Sequence, residues 1–156
     1  MATDLLDDSD REIVSLLLVN ARATVADIAR QVPLSATAIK RRIARLEELG
    51  VITGYTVQID FAKLGWGIEA FAEIRFTGTT HPDDMREVAS SEPEVLAVFT
   101  TAGDHDALVW IRTRDVAHLT SVIAALRSHS QVIGTRTQMI LASYVKSDWQ
   151  PHFPHD

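Results

Sequence analysis

Arg30, Lys40, Arg41, Arg42 and Arg45 supply five of the fifteen basic residues of this 156-residue chain, and no acidic residue lies between Asp27 and Glu47. Guanidinium and ammonium groups gathered this closely bind phosphate, and arginine can also read a guanine edge through two parallel hydrogen bonds. Thr37, in the same stretch, adds a short hydroxyl within reach of a base. The chemistry implied is nucleic-acid recognition, provided that local structure points these groups one way.

The flanking residues supply that structure. Thr24 and Asp27 form a capping-box pair that opens a first helix, on which Val25, Ile28, Ala29 and Val32 make one apolar stripe before Pro33 ends it. After a three-residue turn, Ser35 is the expected N-cap of a second helix. Its Ile39, Ile43 and Leu46 form the buried side, and Gly50 stands where a left-handed C-terminal cap belongs. At about 100° per residue, Thr37, Lys40, Arg41 and Arg45 project away from that side and Arg42 lies at its flank. This is a helix-turn-helix whose second helix fits the major groove of double-stranded DNA. Arg41 and Thr37 would meet base edges. Ser35 marks the positive helix N-terminus, Lys40 shares the DNA-facing side, and the flanking Arg30, Arg42 and Arg45 would hold phosphates. The competing reading is a solvated charged face on an ordinary helix pair.

A net charge of −6 and a pI near 5.4 argue at first against a nucleic-acid partner. The local distribution outweighs the sum, because the acidic residues gather in Asp4 to Glu12 and in the second half, where they keep the rest of the surface off the phosphate backbone. With no cysteine there is neither a disulfide nor a thiolate metal site. The N-terminus lacks a basic segment followed by an apolar run, and no stretch approaches the roughly 20 apolar residues needed to span a bilayer. A cytoplasmic protein with no membrane partner is expected.

Upstream of the motif, Asp7 is the preferred N-cap of a helix carrying Ile13, Leu16 and Leu17, with Ser9 and Glu12 as the alternative cap. Downstream, Tyr55, Val57 and Ile59 alternate with Thr56, Gln58 and Asp60, which predicts a strand serving either as a wing or as a ribbon shared with a second subunit. The glycines around Trp66 suggest a junction.

From Glu69 the pattern becomes strand, helix, strand, strand, helix, strand. The first strand is Glu69–Thr77, and His81-Pro-Asp-Asp84 opens a helix to about Ser91. Val95–Thr101 and Ala107–Thr113 flank the turn at 102–106, Asp115 caps a helix with Leu119, Val122, Ile123 and Leu126, and Gly134–Val145 closes the set. This is the βαββαβ order of a ferredoxin-like domain, and the fold class is α+β. Right-handed crossovers put both helices on one sheet face, so the other face, with Phe71 and alternate residues of the last strand, needs a cover. A second copy of the sheet is the simplest one, which predicts a homodimer. The expected divisions are 1–53 for the helix-turn-helix, 54–68 for the strand and linker, 69–146 for the ferredoxin-like domain and 147–156 for a tail.

Over nearly its whole length the chain resembles the Lrp/AsnC, or feast/famine, transcriptional regulators of prokaryotes. The resemblance rests on Leu6-Asp7 with Asp10 and Ile13, Asn20-Ala-Arg22, Ile28-Ala29, Leu34-Ser35, Arg42, Leu46-Glu47, Gly50 with Ile52, Gly54-Tyr55 and Leu64-Gly65. In the second half it rests on Ala102-Gly103 with Asp106, and on Thr135, Thr137 and Leu141. It implies a winged helix-turn-helix, a ferredoxin-like effector domain, dimers that often build octamers, and control by a small molecule, commonly an amino acid. Effectors in the family bind between ferredoxin-like domains near a turn with the GxxD pattern, which carries over to Gly103 and Asp106. In this reading Gly103 exposes backbone N–H groups to a carboxylate, Asp106 pairs with an α-ammonium, and Thr101, Thr135 and Thr137 offer hydroxyls. The plainer alternative is a hairpin turn in which Asp106 is bonded to backbone.

Other features point nowhere specific. His105 between Asp104 and Asp106 offers too few ligands on one side for a metal, and no phosphate loop or nucleophile elbow suggests a cofactor. Trp149 and Phe153 of the tail are candidate anchors. Two other functions share this fold or surface: a sirohaem-decarboxylase-like enzyme, which would need a His- and Arg-lined pocket, and a DNA-packaging protein with no effector.

Overall fold

In the computed structural model, residues 5–78, 87, 88, 90, 92–129 and 131–144 are described. The chain divides into two compact units, one closing at Gln58 and the other running from Ile59 to Tyr144.

Among the described residues three helices build the first unit: α1 (Asp8–Val19), α2 (Val25–Ala29) and α3 (Ala36–Glu48). Each starts at a side-chain cap legible in the sequence. The Asp10 N–H donates to Asp7 at 2.9 Å, that of Asp27 to Thr24 at 3.1 Å, and that of Ala38 to Ser35 at 3.2 Å. Asp7 is thus the cap of α1, and the Ser9 alternative falls away. At the end of α3, Gly50 takes φ 68°. Its N–H donates to Glu47 O and that of Val51 to Leu46 O, at 3.0 and 2.9 Å, a Schellman closure that a residue with a Cβ would strain. Ile13, Ile28, Val32, Ile39 and Leu46, all at most 1% exposed, form the core. Full burial of each such side chain stabilises by about 1.5–3 kcal/mol.

Two expectations for this unit change. The first helix of the motif ends at Ala29 rather than reaching Pro33, so Arg30 to Ser35 form the connection, longer than three residues. Val32 still reaches the core, and its N–H donates to Ile28 O at 2.9 Å. The stretch Tyr55–Asp60, predicted as a strand, forms no ladder. Tyr55, Val57 and Ile59 are exposed at 51, 73 and 46%. Alternation selects a strand only where a neighbour accepts its hydrogen bonds, and no strand of this chain does so among the described residues.

Four antiparallel strands make the sheet of the second unit: β1 (Ile68–Phe76), β2 (Val95–Thr100), β3 (Ala107–Thr113) and β4 (Val132–Met139), in the spatial order β2-β3-β1-β4. This is the ferredoxin-like arrangement. Helix α4 (Val116–Ser128), capped by Asp115, lays Leu119, Val122, Ile123 and Leu126 on one sheet face. Ala70, Ala72, Ile74, Ala107, Val109 and Ile111, all fully buried, lie on that face. The helix expected from His81 begins outside the described residues. Glu87, Val88 and Ser90 are helical, and Val88 joins the core. The last strand begins two residues before Gly134 and stops at Met139 rather than running to Val145, which lies outside the described residues, as does the tail.

The glycine-flanked segment before β1 lies near the start of the second unit. Asp60 caps a 3₁₀ helix at Phe61–Leu64, Gly65 closes it at φ 84°, and the Arg112 guanidinium lies 3.8 Å from the Phe61 ring centroid. Arg112 also pairs with Glu69 at 2.8 Å, and Glu69 accepts from the Trp110 indole N–H at 3.1 Å.

Candidate functional site

The basic stretch of α3 is sorted by its neighbours into two groups. Thr37, Lys40 and Arg41 are exposed, and among the described residues neither cation forms an ion pair. Arg42 and Arg45 converge instead on Asp10 of α1, whose side chain is only 1% exposed, with contacts of 2.7 and 2.9 Å. Arg42 also bonds Asp7 at 2.7 Å, and Arg45 donates to Leu5 O at 3.0 Å. The bond to Asp10, then that to Asp7, raises the Arg42 pKa. Burial is the largest influence on the Asp7 carboxyl and pushes its pKa up. The Asp10 N–H and the Arg42 guanidinium together outweigh it and hold the carboxyl below its ordinary value. Arg42 and Arg45 therefore fasten α3 to α1, a role that local charge counting does not reveal. Ser35 is occupied as a cap, and Arg30 pairs with Asp27. Among the described residues, Thr37, Lys40 and Arg41 are polar groups of α3 left exposed without a side-chain partner.

The turn at 102–106 is similarly committed. Asp106 accepts from Phe76 N–H at 2.8 Å, where the β1–β4 register shifts between Arg75 and Phe76. Its own N–H donates to Ile74 O at 2.9 Å. The Thr101 hydroxyl donates to His105 O at 2.8 Å. Asp106 and Thr101 thus hold the hairpin, the plainer of the two expected roles. Gly103, at φ 152°, keeps the backbone freedom expected of it.

Thr135 and Thr137 sit opposite Ile74 and Ala72 of β1, on the helix-covered face, and Thr135 accepts from Arg127 Nε at 2.6 Å. The side chains of β4 that share the open face are Arg136 and Gln138, although Thr135 also borders the depression beside the hairpin.

Beside the hairpin the open face holds a depression of about 550 Å³, within the size range of small-molecule sites. Glu73, Arg75, Asp104, His105, Gly134, Thr135 and Arg136 line it. Sequence reading passed over Glu73, Arg75 and Arg136. The signal was present in β1, where two charged residues follow Phe71 on a face otherwise expected to be apolar. Among the described residues no cluster of His, Asp or Glu is placed to hold a metal ion, and no helix is long and apolar enough to cross a membrane.

Residues 6–47 match the AsnC-type helix-turn-helix domain, and residues 69–150 match the Lrp/AsnC ligand binding domain. The chain belongs to the Lrp/AsnC family. One relative is the HTH-type transcriptional regulator Rv2324 of Mycobacterium tuberculosis, 37% identical over 91% of this chain and 96% of the relative. Another is the proline dehydrogenase transcriptional activator of Rhodobacter capsulatus, 31% identical over 94% and 97%. Among solved structures, the feast or famine regulatory protein Rv3291c of M. tuberculosis in complex with L-methionine superposes with a TM-score of 0.85 at 30% identity, covering 96% of this chain and 99% of that one. This Lrp/AsnC chain is a DNA-binding transcriptional regulator with a ligand-binding domain, and the decarboxylase alternative falls away.

Proposed function

We propose that this regulator reads operator DNA with Thr37, Lys40 and Arg41 of α3, and that an amino acid bound in the depression beside the 102–106 hairpin changes that binding. The observation that carries the first half is the sorting of the α3 cations. Arg42 and Arg45 are held by Asp10, whereas among the described residues Lys40 and Arg41 form no ion pair. In the second half, support comes from the ligand-binding domain and from the L-methionine complex of Rv3291c.

A homodimer is the working form in this reading. Phe71, Leu108, Trp110 and the 49%-exposed Phe99 share the uncovered sheet face, and a second copy of the same face buries them. A dimer reads two half-sites only when its recognition helices are spaced by about one turn of DNA, roughly 34–36 Å, or a multiple of it. An effector on the second unit cannot compete for the surface of α3, so it acts by biasing that spacing. Its leverage equals its differential affinity for the two arrangements, typically about 1–3 kcal/mol.

The test is fluorescence anisotropy on DNA upstream of the protein's own gene, with and without each amino acid. Arg41→Ala should cost about 1–3 kcal/mol on the best site and relax its sequence preference. Equal losses on specific and random DNA would leave Arg41 a phosphate contact only. A broad footprint indifferent to every amino acid would favour a packaging protein.

A further inference from the structure

We propose that Tyr55 is a positioning residue for DNA reading: by bonding Glu47 it ties the connector between the units to α3 and sets the half-site spacing the protein accepts, given the reading above that a dimer engages two half-sites. The tie is one hydrogen bond, in which the Tyr55 hydroxyl donates to Glu47 Oε1 at 2.9 Å. A phenol donating to a carboxylate makes a charge-assisted bond, stronger than one between neutral groups. Burial first, and the bond to Glu47 second, raise the Tyr55 pKa above its ordinary value, so the hydroxyl remains a donor through the neutral range.

The anchors on either side of the unit boundary show what that bond controls. Gly50 closes α3, the Ile52 N–H donates to Leu46 O at 3.1 Å, and the Ile52 side chain packs on the core of the first unit. Tyr55 then returns to Glu47, inside the last turn of α3. On the far side Asp60 caps the 3₁₀ helix and Arg112 lies over the Phe61 ring. Between these anchors Thr56, Val57, Gln58 and Ile59 straddle the boundary, are exposed, and form no hydrogen bond or ion pair among the described residues. With the bond in place the slack is those four residues. Without it the slack begins at Thr53 and takes in Gly54, whose backbone rotates more freely than that of any other residue type.

Slack sets reach. A chain spans at most about 3.3–3.6 Å per residue, so the free stretch 56–59 reaches about 14 Å and the stretch 53–59 about 25 Å. Successive base pairs lie about 3.4 Å apart along the DNA axis, so the added ~10 Å lets α3 follow a half-site displaced by about two or three base pairs. With the bond in place α3 cannot follow so far and gives up contacts of Thr37, Lys40 or Arg41. The same bond gives an effector on the second unit its hold on α3, because a longer loose connector would absorb a bias in spacing. Tyr55 is 51% exposed, so removal of its hydroxyl leaves the core of the first unit intact.

Fluorescence anisotropy of the full chain tests the assignment on duplexes that carry two copies of one half-site, selected by the wild-type chain from random DNA and separated in single-base-pair steps around one helical turn. Wild-type affinity should fall roughly tenfold when the half-sites move about two base pairs from the best spacing, whereas that of Tyr55→Phe, which keeps the ring, should fall less than about threefold. Glu47→Ala should flatten the profile in the same way, and the double variant should flatten it no further. Glu47→Gln keeps an acceptor and should retain the sharp profile. Affinity for a single half-site should be the same in Tyr55→Phe as in the wild type. A Tyr55→Phe profile as sharp as the wild type overturns the positioning role and leaves the dimer reading in place. So does a loss on the single half-site as large as that on the paired sites, which would make Tyr55 a structural support of α3. A wild-type profile that is flat across spacings overturns the two-half-site reading together with the role of Tyr55.

Discussion

In the helical unit two arginines close on one buried carboxylate, whereas in the sheet unit two arginines flank one carboxylate without closing on it. Asp10 is buried and takes Arg42 and Arg45 within 2.9 Å, so that cluster is spent on holding α3 to α1. Among the described residues Glu73 bonds Gln138 alone, Arg75 is held by a backbone carbonyl and Arg136 forms no ion pair. The residue types are the same and their availability differs. An arginine serves recognition only when the fold leaves its guanidinium unmatched, and its partners come from elements far away in the chain.

The largest effect that would break this contrast is at Asp10. Replacing it by alanine removes the shared acceptor of Arg42 and Arg45 and also a member of the α1 capping box. Breaking such a buried pair should destabilise the first unit by about 3 kcal/mol. Hydrogen exchange should show lost protection at Ile13 and Ile39 with β1 and β3 unchanged. Unchanged protection in α1 and α3 would mean that the cluster is not structural, and Arg42 and Arg45 would return to the DNA surface.

Asp106 sharpens the comparison from the other side, since it is a charged residue of the sheet unit that the fold has already spent. Asp106→Ala leaves the N–H of Phe76, a residue 6% exposed, without its acceptor and should cost about 1–3 kcal/mol of stability. Asp106→Asn keeps an acceptor oxygen and should recover most of that loss in thermal unfolding. If Asp106→Asn is fully stable yet abolishes the effector response, the charge of Asp106 acts on the ligand as the GxxD resemblance implies. If the response survives in Asp106→Asn, the residue is structural only.

What was legible in the sequence follows the range of the interactions. The caps at Asp7, Thr24, Ser35 and Asp115 and the glycine closure at Gly50 lie within a few residues of the groups they satisfy, and each appears as expected. The alternation of Ala70, Ala72, Ile74 and Phe76 is likewise local and marks the covered face of β1. The pairing of Arg42 with Asp10 spans 32 residues and depends on how α3 crosses α1. The placement of Thr135 depends on the register of β4 against β1, where a shift of one residue exchanges the two faces. Tyr55–Asp60 fails for the complementary reason, because its alternation is local but a strand requires a partner.

The smallest effect concerns Asp7, the exposed edge of the Asp10 cluster, and it tests whether that cluster shades from structural to incidental at the surface. Its carboxyl pKa is lowered below the usual 3.8, because the Asp10 N–H and Arg42 together overcome the upward push of burial. A carboxylate whose folded pKa is depressed adds stability that is present above its unfolded pKa of about 3.9 and fades as pH falls through the lower folded value. Asparagine at this position keeps an N-cap oxygen but loses the charge. With the Asp7 side chain 55% exposed, solvent screens the pair with Arg42, so Asp7→Asn should cost less than about 1 kcal/mol near pH 7. Urea unfolding of both proteins should show a constant difference from about pH 7 down to pH 5 that shrinks as pH falls below about 4. A difference that does not shrink on acidification would assign the effect to cap geometry rather than to ionisation. A loss above 2 kcal/mol at pH 7 would place Asp7 beside Asp10 among the residues that hold α3 in position.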